Sequence, residues 1–159
     1  MLVSRALKSV DPKVAFLRSL PGLAGIRDRD LVALASLFDE ARVDAGRVLI
    51  REGASGREMF LVVEGQAAVT LRGDFIATVG PGEFVGEMAV FERAPRSATV
   101  TALTPMRLLV AGSQSFGTLL AHPAMLRRLA TTLARRLRVV QGSPEEWSED
   151  PRMNVAVPS

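Results

Sequence analysis

The stretch between residues 41 and 110 constrains the fold most, because short apolar runs alternate there with turns that contain glycine. Runs of about five apolar or alternating residues between turns are typical of β-strands. Gly73-Asp74 predicts a tight hairpin. The predicted strands are Arg47–Arg51, Met59–Val63, Gln66–Arg72, Phe75–Val79, Ala98–Ala102 and Met106–Val110. Many short strands at this spacing predict a β-sandwich or barrel.

Helical patterns lie before this β region. Asp11 is expected to cap a helix from Pro12 to Leu20, because a proline suits the first helical turn. Asp28 is expected to cap a second helix over Arg29–Asp39, in which apolar residues recur every three or four positions. These two helices predict a small bundle that packs on the strands.

Two further helices are predicted after the strands. Ser113 is expected to cap a short helix over Gln114–Ala121, and Pro123 to begin a longer helix that ends near Gln141. The apolar stripe of the longer helix is Leu126, Leu129, Ala130, Leu133, Leu137 and Val140. This stripe favours core packing over a dimer seam, since Arg136 interrupts the heptad run.

The composition excludes several classes of protein. The chain has 159 residues, no cysteine, one histidine and a net charge of +3. Disulfides, cysteine–zinc sites and histidine-rich metal clusters are therefore excluded, and no metal is expected. No apolar run reaches the ~18 residues of a membrane span, and no signal-peptide core is present, so the cytoplasm is expected. We expect a lead over 1–15, one domain over 16–141 and a disordered tail over 142–159.

One carboxylate and one guanidinium lie close together in the middle of the chain. Gly80-Pro81-Gly82 makes a turn, a helical turn can follow at Glu87–Phe91, and Arg96 stands nine positions after Glu87. Free N–H groups at a helix start bind anions, and a guanidinium matches the oxygens of a phosphate. Glu87 can accept from hydroxyl groups, so the pair predicts a nucleotide site. The alternative is a structural ion pair between Glu87 and Arg96 that closes a loop.

This stretch also carries a resemblance. Phe84-Val85-Gly86-Glu87-Met88-Ala89, followed by Pro95-Arg96-Ser97-Ala98-Thr99-Val100, resembles the phosphate-binding cassette of the cyclic-nucleotide-binding domain family. That family includes catabolite activator proteins and regulatory subunits of cAMP-dependent kinase. The resemblance extends from about Phe16 to about Val140. Val85 and Val90 stand where the family more often has Phe and Leu, and both remain apolar.

The resemblance implies a mainly β fold with flanking helices. The expected architecture is a double-stranded β-helix, a jelly-roll-like β-roll, with N-terminal helices and a C-terminal lid helix, as a stand-alone domain. Glu87 is expected to bind the ribose 2′-hydroxyl and Arg96 the cyclic phosphate, while Ser97 contacts the phosphate or base. The expected ligand-binding residues are Val85, Gly86, Glu87, Met88, Ala89, Pro95, Arg96, Ser97 and Ala98.

The base is expected to lie between the sheet and the lid helix. The lid residues that could contact the base are Arg128, Thr131, Thr132, Arg135 and Arg138; the candidates for the pocket floor are Val62, Val69 and Leu71. Any one of them could instead be an ordinary surface or core residue. By resemblance, alanine after the cassette arginine goes with cAMP and threonine with cGMP. Ser97 is intermediate, and cAMP is favoured.

These observations favour a cyclic nucleotide sensor over two other functions. The sensor would act on an unidentified effector protein in trans through its C-terminal helix, and a homodimer is left open. One alternative is a cassette-shaped scaffold that binds a protein without ligand. Another is a DNA-associated transcription regulator, which is disfavoured because no helix-turn-helix follows the arginine-rich segment 127–138. No Ser/His/Asp set or P-loop is present, so no enzyme activity or cofactor is expected.

Overall fold

The structure is a computed structural model that describes the backbone of residues 11–141 and the side chains of residues 11–136. The predicted tail over 142–159 and the first ten residues of the predicted lead lie outside these described residues. The boundaries of the predicted domain therefore remain a prediction.

Strands within the described range form two four-stranded antiparallel sheets. The strands are β1 (Asp39–Val43), β2 (Val48–Ile50), β3 (Met59–Glu64), β4 (Ala67–Leu71), β5 (Asp74–Val79), β6 (Phe84–Val85), β7 (Thr99–Ala102) and β8 (Met106–Ala111). The first sheet has the order β1-β8-β3-β6 and the second β2-β7-β4-β5. In each sheet an early strand pairs with a late one, β1 with β8 and β2 with β7, which is the order of a jelly roll. The predicted mainly β class with flanking helices is confirmed.

Helices precede, interrupt and follow these sheets. They are α1 (Pro12–Ser19), α2 (Asp28–Ala35), α3 (Met88–Phe91), α4 (Phe116–Ala121) and α5 (Pro123–Gln141), with a 3₁₀ turn at Ser113–Ser115. The Asp11 side chain accepts from the backbone N–H of Lys13, as the predicted cap requires. In the described part of the chain, no helix is long and apolar enough to cross a membrane.

The continuous apolar run of β3 is explained by burial on both faces. Phe60 and Val62 lie in the core between the two sheets. Met59 and Leu61 belong to a second core, in which the helices cover the outer face of the first sheet. Because both faces are covered, alternation disappears from the sequence, and the strand predicted over Met59–Val63 is confirmed.

Two predicted element starts are wrong by a residue or more. The hairpin loop between β4 and β5 is Arg72-Gly73 rather than Gly73-Asp74, since Asp74 pairs with Leu71 in the ladder. Both loop residues have positive φ, 53° for Arg72 and 83° for Gly73, as a tight two-residue turn requires. The helix predicted from Ser113 begins as a 3₁₀ turn, and Ser113 makes no side-chain cap there.

The second predicted helix is shorter than expected. Asp28 is its first residue rather than its cap, and its carboxylate pairs with Arg18 at 2.5 Å. The helix ends at Ala35 instead of Asp39, which already belongs to β1. The buried Phe38 continues the apolar period of the helix, although it lies in the connection to the strand. Periodicity alone therefore overextended the helix.

The predicted apolar stripe of α5 is partly wrong. Leu129 is buried, but its buried companion is Met125. Leu126 is 40% exposed, and Ala130 is also exposed. The helix is rotated from the expected orientation, because a polar face points towards a cavity beside the second sheet. The predicted stripe residues Leu137 and Val140 have side chains outside the described residues.

Candidate functional site

A cavity of about 560 Å³ lies between the second sheet, the α3 region and α5. Its size is within the range of small-molecule sites. The sheet contributes an apolar wall that includes Val69, Leu71 and Val100. Polar side chains come from the segment between β6 and β7 and from one face of α5. The cavity therefore combines an apolar wall with a few charged groups.

Two glycines on either side of β6 place the backbone of this segment at the cavity wall. Gly82 has φ +87° and Gly86 has φ +77°, a conformation that residues with side chains rarely adopt. A Cβ added at Gly86 would lie 2.7 Å from the backbone oxygen of Glu58 and 2.9 Å from Nη1 of Arg96. Glycine is therefore needed at position 86 for its backbone conformation and for the close approach of Arg96.

Arg96 is held from the loop between β2 and β3. Its backbone N–H donates to the oxygen of Ala54, and its own oxygen accepts from Gly53, both at 2.8 Å. Its Nη2 donates to the backbone oxygen of Glu58 at 2.7 Å. Burial lowers the pKa of Arg96 from its usual value, while the carboxylates of Glu58 and Glu87 oppose this shift. A partly desolvated cation at a cavity wall favours an anionic ligand.

Glu87 is the buried charged residue of this cavity. Its side chain is 2% exposed, and its two carboxylate oxygens accept from Nη1 of Arg136 at 2.5 and 2.6 Å. Nη2 of Arg136 donates to the backbone oxygen of Phe84. A buried carboxylate is stable when a cation and hydrogen bonds accompany it. Glu87 is therefore fixed by α5 in this state.

Arg128 connects α5 to two other segments. One nitrogen, Nη1, donates to the oxygen of Pro21 at 3.0 Å, and Nη2 donates to the oxygen of Gly82 at 2.8 Å. Burial lowers the pKa of Arg128, and the neighbouring charge of Arg135 lowers it further. The first turns of α5 are thereby attached both to the loop after α1 and to the turn that precedes β6.

The family model for the cyclic nucleotide-binding domain matches residues 27–122, which is more than half of the chain. The chain belongs to the cyclic nucleotide-binding domain family. The predicted resemblance is confirmed, and the chain carries a cyclic nucleotide-binding regulatory domain.

Known members of the family differ in what accompanies this domain. The chain is 35% identical over 107 residues to a cAMP-dependent protein kinase regulatory subunit of Yarrowia lipolytica, covering 66% of this chain and 28% of the relative. It is 32% identical over 145 residues to Acetyltransferase Pat of Mycolicibacterium smegmatis, covering 85% of this chain and 44% of the relative. The chain thus spans less than half the length of these curated relatives, one of which is named as an enzyme.

A solved member has the same fold. The catabolite activator protein of Thermus thermophilus superposes with a TM-score of 0.66 at 28% identity, covering 76% of this chain and 60% of that chain. Both sheets and the flanking helices of the present structure are therefore those of a family β-roll.

Every residue predicted to bind the ligand lies at the cavity wall. The nine residues are Val85, Gly86, Glu87, Met88, Ala89, Pro95, Arg96, Ser97 and Ala98. The ion pair considered between Glu87 and Arg96 is not formed, since Glu87 pairs with Arg136 instead. The structure thus brings the cassette residues of this cyclic nucleotide-binding domain together around one cavity.

The candidates for the base pocket divide into two groups. Val69, Leu71 and Arg135 lie at the cavity wall, as do Arg128 and Thr132. Val62 is not part of that wall, because it is buried in the core between the sheets. Thr131 is exposed and donates to the backbone oxygen of Arg127. The side chain of Arg138 lies outside the described residues.

Sequence reasoning missed Arg136 as a site residue. The sequence pattern places Arg136 in the arginine-rich segment 127–138 and as an interruption of an apolar heptad run. Arg128, Thr132 and Arg136 follow one another at intervals of four residues, so they share one helix face. All three line the cavity. This polar spacing was the available signal, and it would have identified the face of α5 that covers the site.

Proposed function

We propose that this chain is a cyclic nucleotide sensor, with cAMP favoured over cGMP. Ligand binding would change the position of α5, and α5 would transmit that change to a partner. The observation that carries the proposal is the contact between Glu87 and Arg136. By family resemblance Glu87 accepts the ribose 2′-hydroxyl, and here it also accepts from the lid helix. One carboxylate is therefore shared by the ligand site and by the element that would transmit the signal.

The coupling has a simple physical form. A ligand shifts a conformational equilibrium only when it interacts differently with the two states. A hydroxyl that donates to Glu87 would alter how strongly this carboxylate holds Arg136, which lies more than three turns into α5. Occupancy of the cavity and the position of α5 are then linked through the same side chain.

The phosphate contact is assigned to Arg96. Its guanidinium is partly buried at the cavity wall and has no ion-pair partner within the described residues. Calorimetric titration with cAMP, then cGMP, tests the assignment. Arg96→Ala is expected to weaken binding by about 2–4 kcal/mol, because a charge-assisted contact to a desolvated phosphate is lost.

A matched arginine provides the control for this titration. Arg93 is exposed and lies outside the cavity wall, so Arg93→Ala is expected to bind as the parent chain does. Equal affinity of parent and Arg96→Ala would refute the site. Silence of the folded parent with both nucleotides would refute the sensor and favour a scaffold that binds a protein without ligand.

The preference for cAMP rests on Ser97. Its hydroxyl lies at the cavity wall, 3.8 Å from the sulfur of Met88, which is a weak acceptor. A hydroxyl here could serve guanine, but serine lacks the second group that fixes a threonine rotamer. Tighter binding of cAMP than of cGMP in the same titration is expected, and the reverse order would overturn the preference.

The exposed face of α5 supports the proposal of a protein partner. Leu126 and Ala130 are exposed there, whereas Leu133, the next position of a 4-3 spacing, is half-buried at the cavity wall. We propose an unidentified effector protein as the partner, engaged in trans, with a homodimer as the alternative and no enzymatic step in this domain. Sedimentation with and without cAMP tests this: a monomer at all concentrations would exclude the homodimer. A cytoplasmic location also remains a proposal.

A further inference from the structure

The loop between β2 and β3 contacts both the backbone and the guanidinium of Arg96. Gly53 and Ala54 exchange backbone hydrogen bonds with Arg96, each at 2.8 Å. Nη2 of Arg96 donates to the backbone oxygen of Glu58 at 2.7 Å. The loop therefore fixes both the backbone and the guanidinium of this arginine, although it lies about forty positions away along the chain.

Gly56 faces one edge of this guanidinium. A Cβ added at Gly56 would lie 3.2 Å from Nε, 3.2 Å from Nη2 and 3.6 Å from Cζ of Arg96. Equal distances to the two nitrogens, with the carbon between them farther away, place that Cβ near the guanidinium plane. It would press on the edge formed by Nε and Nη2. One nitrogen of that edge, Nη2, already donates to the Glu58 oxygen, so a Cβ there would disturb this hydrogen bond.

A second glycine lies against the other side of the same group. A Cβ at Gly86 would approach Nη1 of Arg96 to 2.9 Å. The guanidinium of Arg96 therefore lies between two glycines, one in the cassette and one in the β2–β3 loop. Since neither glycine carries a side chain, the planar group fits between them, and a Cβ at either position would require it to shift.

The backbone does not explain the glycine at position 56. Gly86 has a positive φ, so an alanine there would be strained whatever its neighbours. Gly56 has no positive φ, and alanine can adopt its conformation. The three nearest heavy atoms that a Cβ at Gly56 would meet all belong to the Arg96 guanidinium.

We propose that Gly56 is a positioning residue of the phosphate site. Because Gly56 places no Cβ against the Nε–Nη2 edge, the guanidinium keeps the hydrogen bond from Nη2 to the Glu58 oxygen and stays in place beside the cassette. This inference rests on the proposed function, in which Arg96 binds the cyclic phosphate. The β2–β3 loop is then part of the proposed nucleotide site, although it lies outside the cassette in the sequence.

The test uses the full chain with Gly56→Ala and a matched glycine. Gly25 is exposed, has no positive φ and has no heavy atom within 4 Å of a Cβ, so Gly25→Ala is the control. Gly56→Ala is expected to bind cAMP about tenfold more weakly, because bound groups need placement within roughly 0.5 Å. Gly25→Ala is expected to bind unchanged, and both variants to unfold at the parent's midpoint.

A second measurement does not depend on binding. The Nε–H resonance of Arg96, recorded by ¹⁵N NMR in the free protein, is expected to shift in Gly56→Ala and to stay in place in Gly25→Ala. A merely structural role for Gly56 would lower the unfolding midpoint without moving this resonance selectively. A double-mutant cycle supplies a third criterion. In an Arg96→Lys background, Gly56→Ala should cause no further loss of cAMP affinity, since lysine has no guanidinium edge for the new Cβ to displace.

The outcomes separate this inference from the proposed function. Parent-like affinity of Gly56→Ala, or an unmoved Arg96 resonance, would overturn the positioning role. The same fold loss in the Arg96→Lys background would also overturn it, since the effect would then not pass through the guanidinium. If the parent binds neither nucleotide, the proposed function fails, and the Arg96 resonance still decides whether Gly56 positions this group.

Discussion

Replacement of Arg136 by methionine tests the contact between α5 and the cassette. Methionine keeps much of the apolar stem but removes every donor, so the Glu87 carboxylate loses its cation. The side chain of Glu87 is 2% exposed, so the carboxylate left without its cation is largely shielded from water. Burial of an uncompensated charge is unfavourable, and we expect Arg136→Met to lower the free energy of unfolding.

The magnitude follows from the geometry of the pair. Removing one partner of a buried ion pair costs about 3–5 kcal/mol. The side chain of Arg136 is 33% exposed, however, so water screens part of its interaction and can reach the vacated space. The lost hydrogen bonds comprise two to Glu87 and one to the oxygen of Phe84. A loss of about 2 kcal/mol is therefore expected, within the range for bonds to charged groups.

Urea unfolding followed by circular dichroism measures this loss, and a double-mutant cycle assigns it. Glu87→Gln removes the charge that Arg136→Met leaves behind. The double variant should therefore be about 1 kcal/mol more stable than the sum of the single losses predicts. Arg127→Met is the control, because Arg127 is exposed on the same helix. Strict additivity, or equal effects at Arg127 and Arg136, would refute the reasoning.

Two other substitutions test the backbone and the attachment of α5. Gly86→Ala should destabilise folding by about 1–3 kcal/mol through backbone strain and also abolish cAMP binding. Gly82→Ala shares the positive φ but meets only a side-chain carbon, at 3.4 Å. It should therefore retain more affinity in the same titration, and equal effects would contradict the steric argument. Arg128→Met leaves the oxygens of Pro21 and Gly82 without its donors and should cost about 1–2 kcal/mol in urea unfolding. Unchanged stability would show that water replaces these bonds.

The strands could be predicted because their burial and turns leave local marks. The apolar run of β3 reflects burial on both faces, and Gly73 marks the hairpin through its positive φ. The exact loop could not be predicted, because Arg72 also adopts a positive φ, which is uncommon for a residue with a side chain. Strand existence follows from local pattern, whereas register depends on pairing between distant segments.

The cassette could be predicted for a different reason. Its residues are close in sequence, so a short segment contains Glu87 and Arg96 together with Gly86, whose missing side chain leaves room for Arg96. Gly56 and Arg136 could not be found this way, since each reaches the site from a distant element. An arginine on a helix resembles a solvated surface residue until the orientation of that helix is known.

The orientation of α5 brings Arg128 and Arg136 into contact with the same short segment of the chain. Arg128 holds the oxygen of Gly82, where the turn enters the cassette, and Arg136 holds Glu87 five residues later. The same helix face therefore contacts both ends of a short segment that forms part of the cavity wall. If a nucleotide changes the distance between Gly82 and Glu87, the contacts of Arg128 and Arg136 with these residues cannot both keep their present geometry. On the proposed function, we therefore expect a nucleotide to move α5 or to weaken one of these two contacts, by an amount set by its differential interaction with the two arrangements.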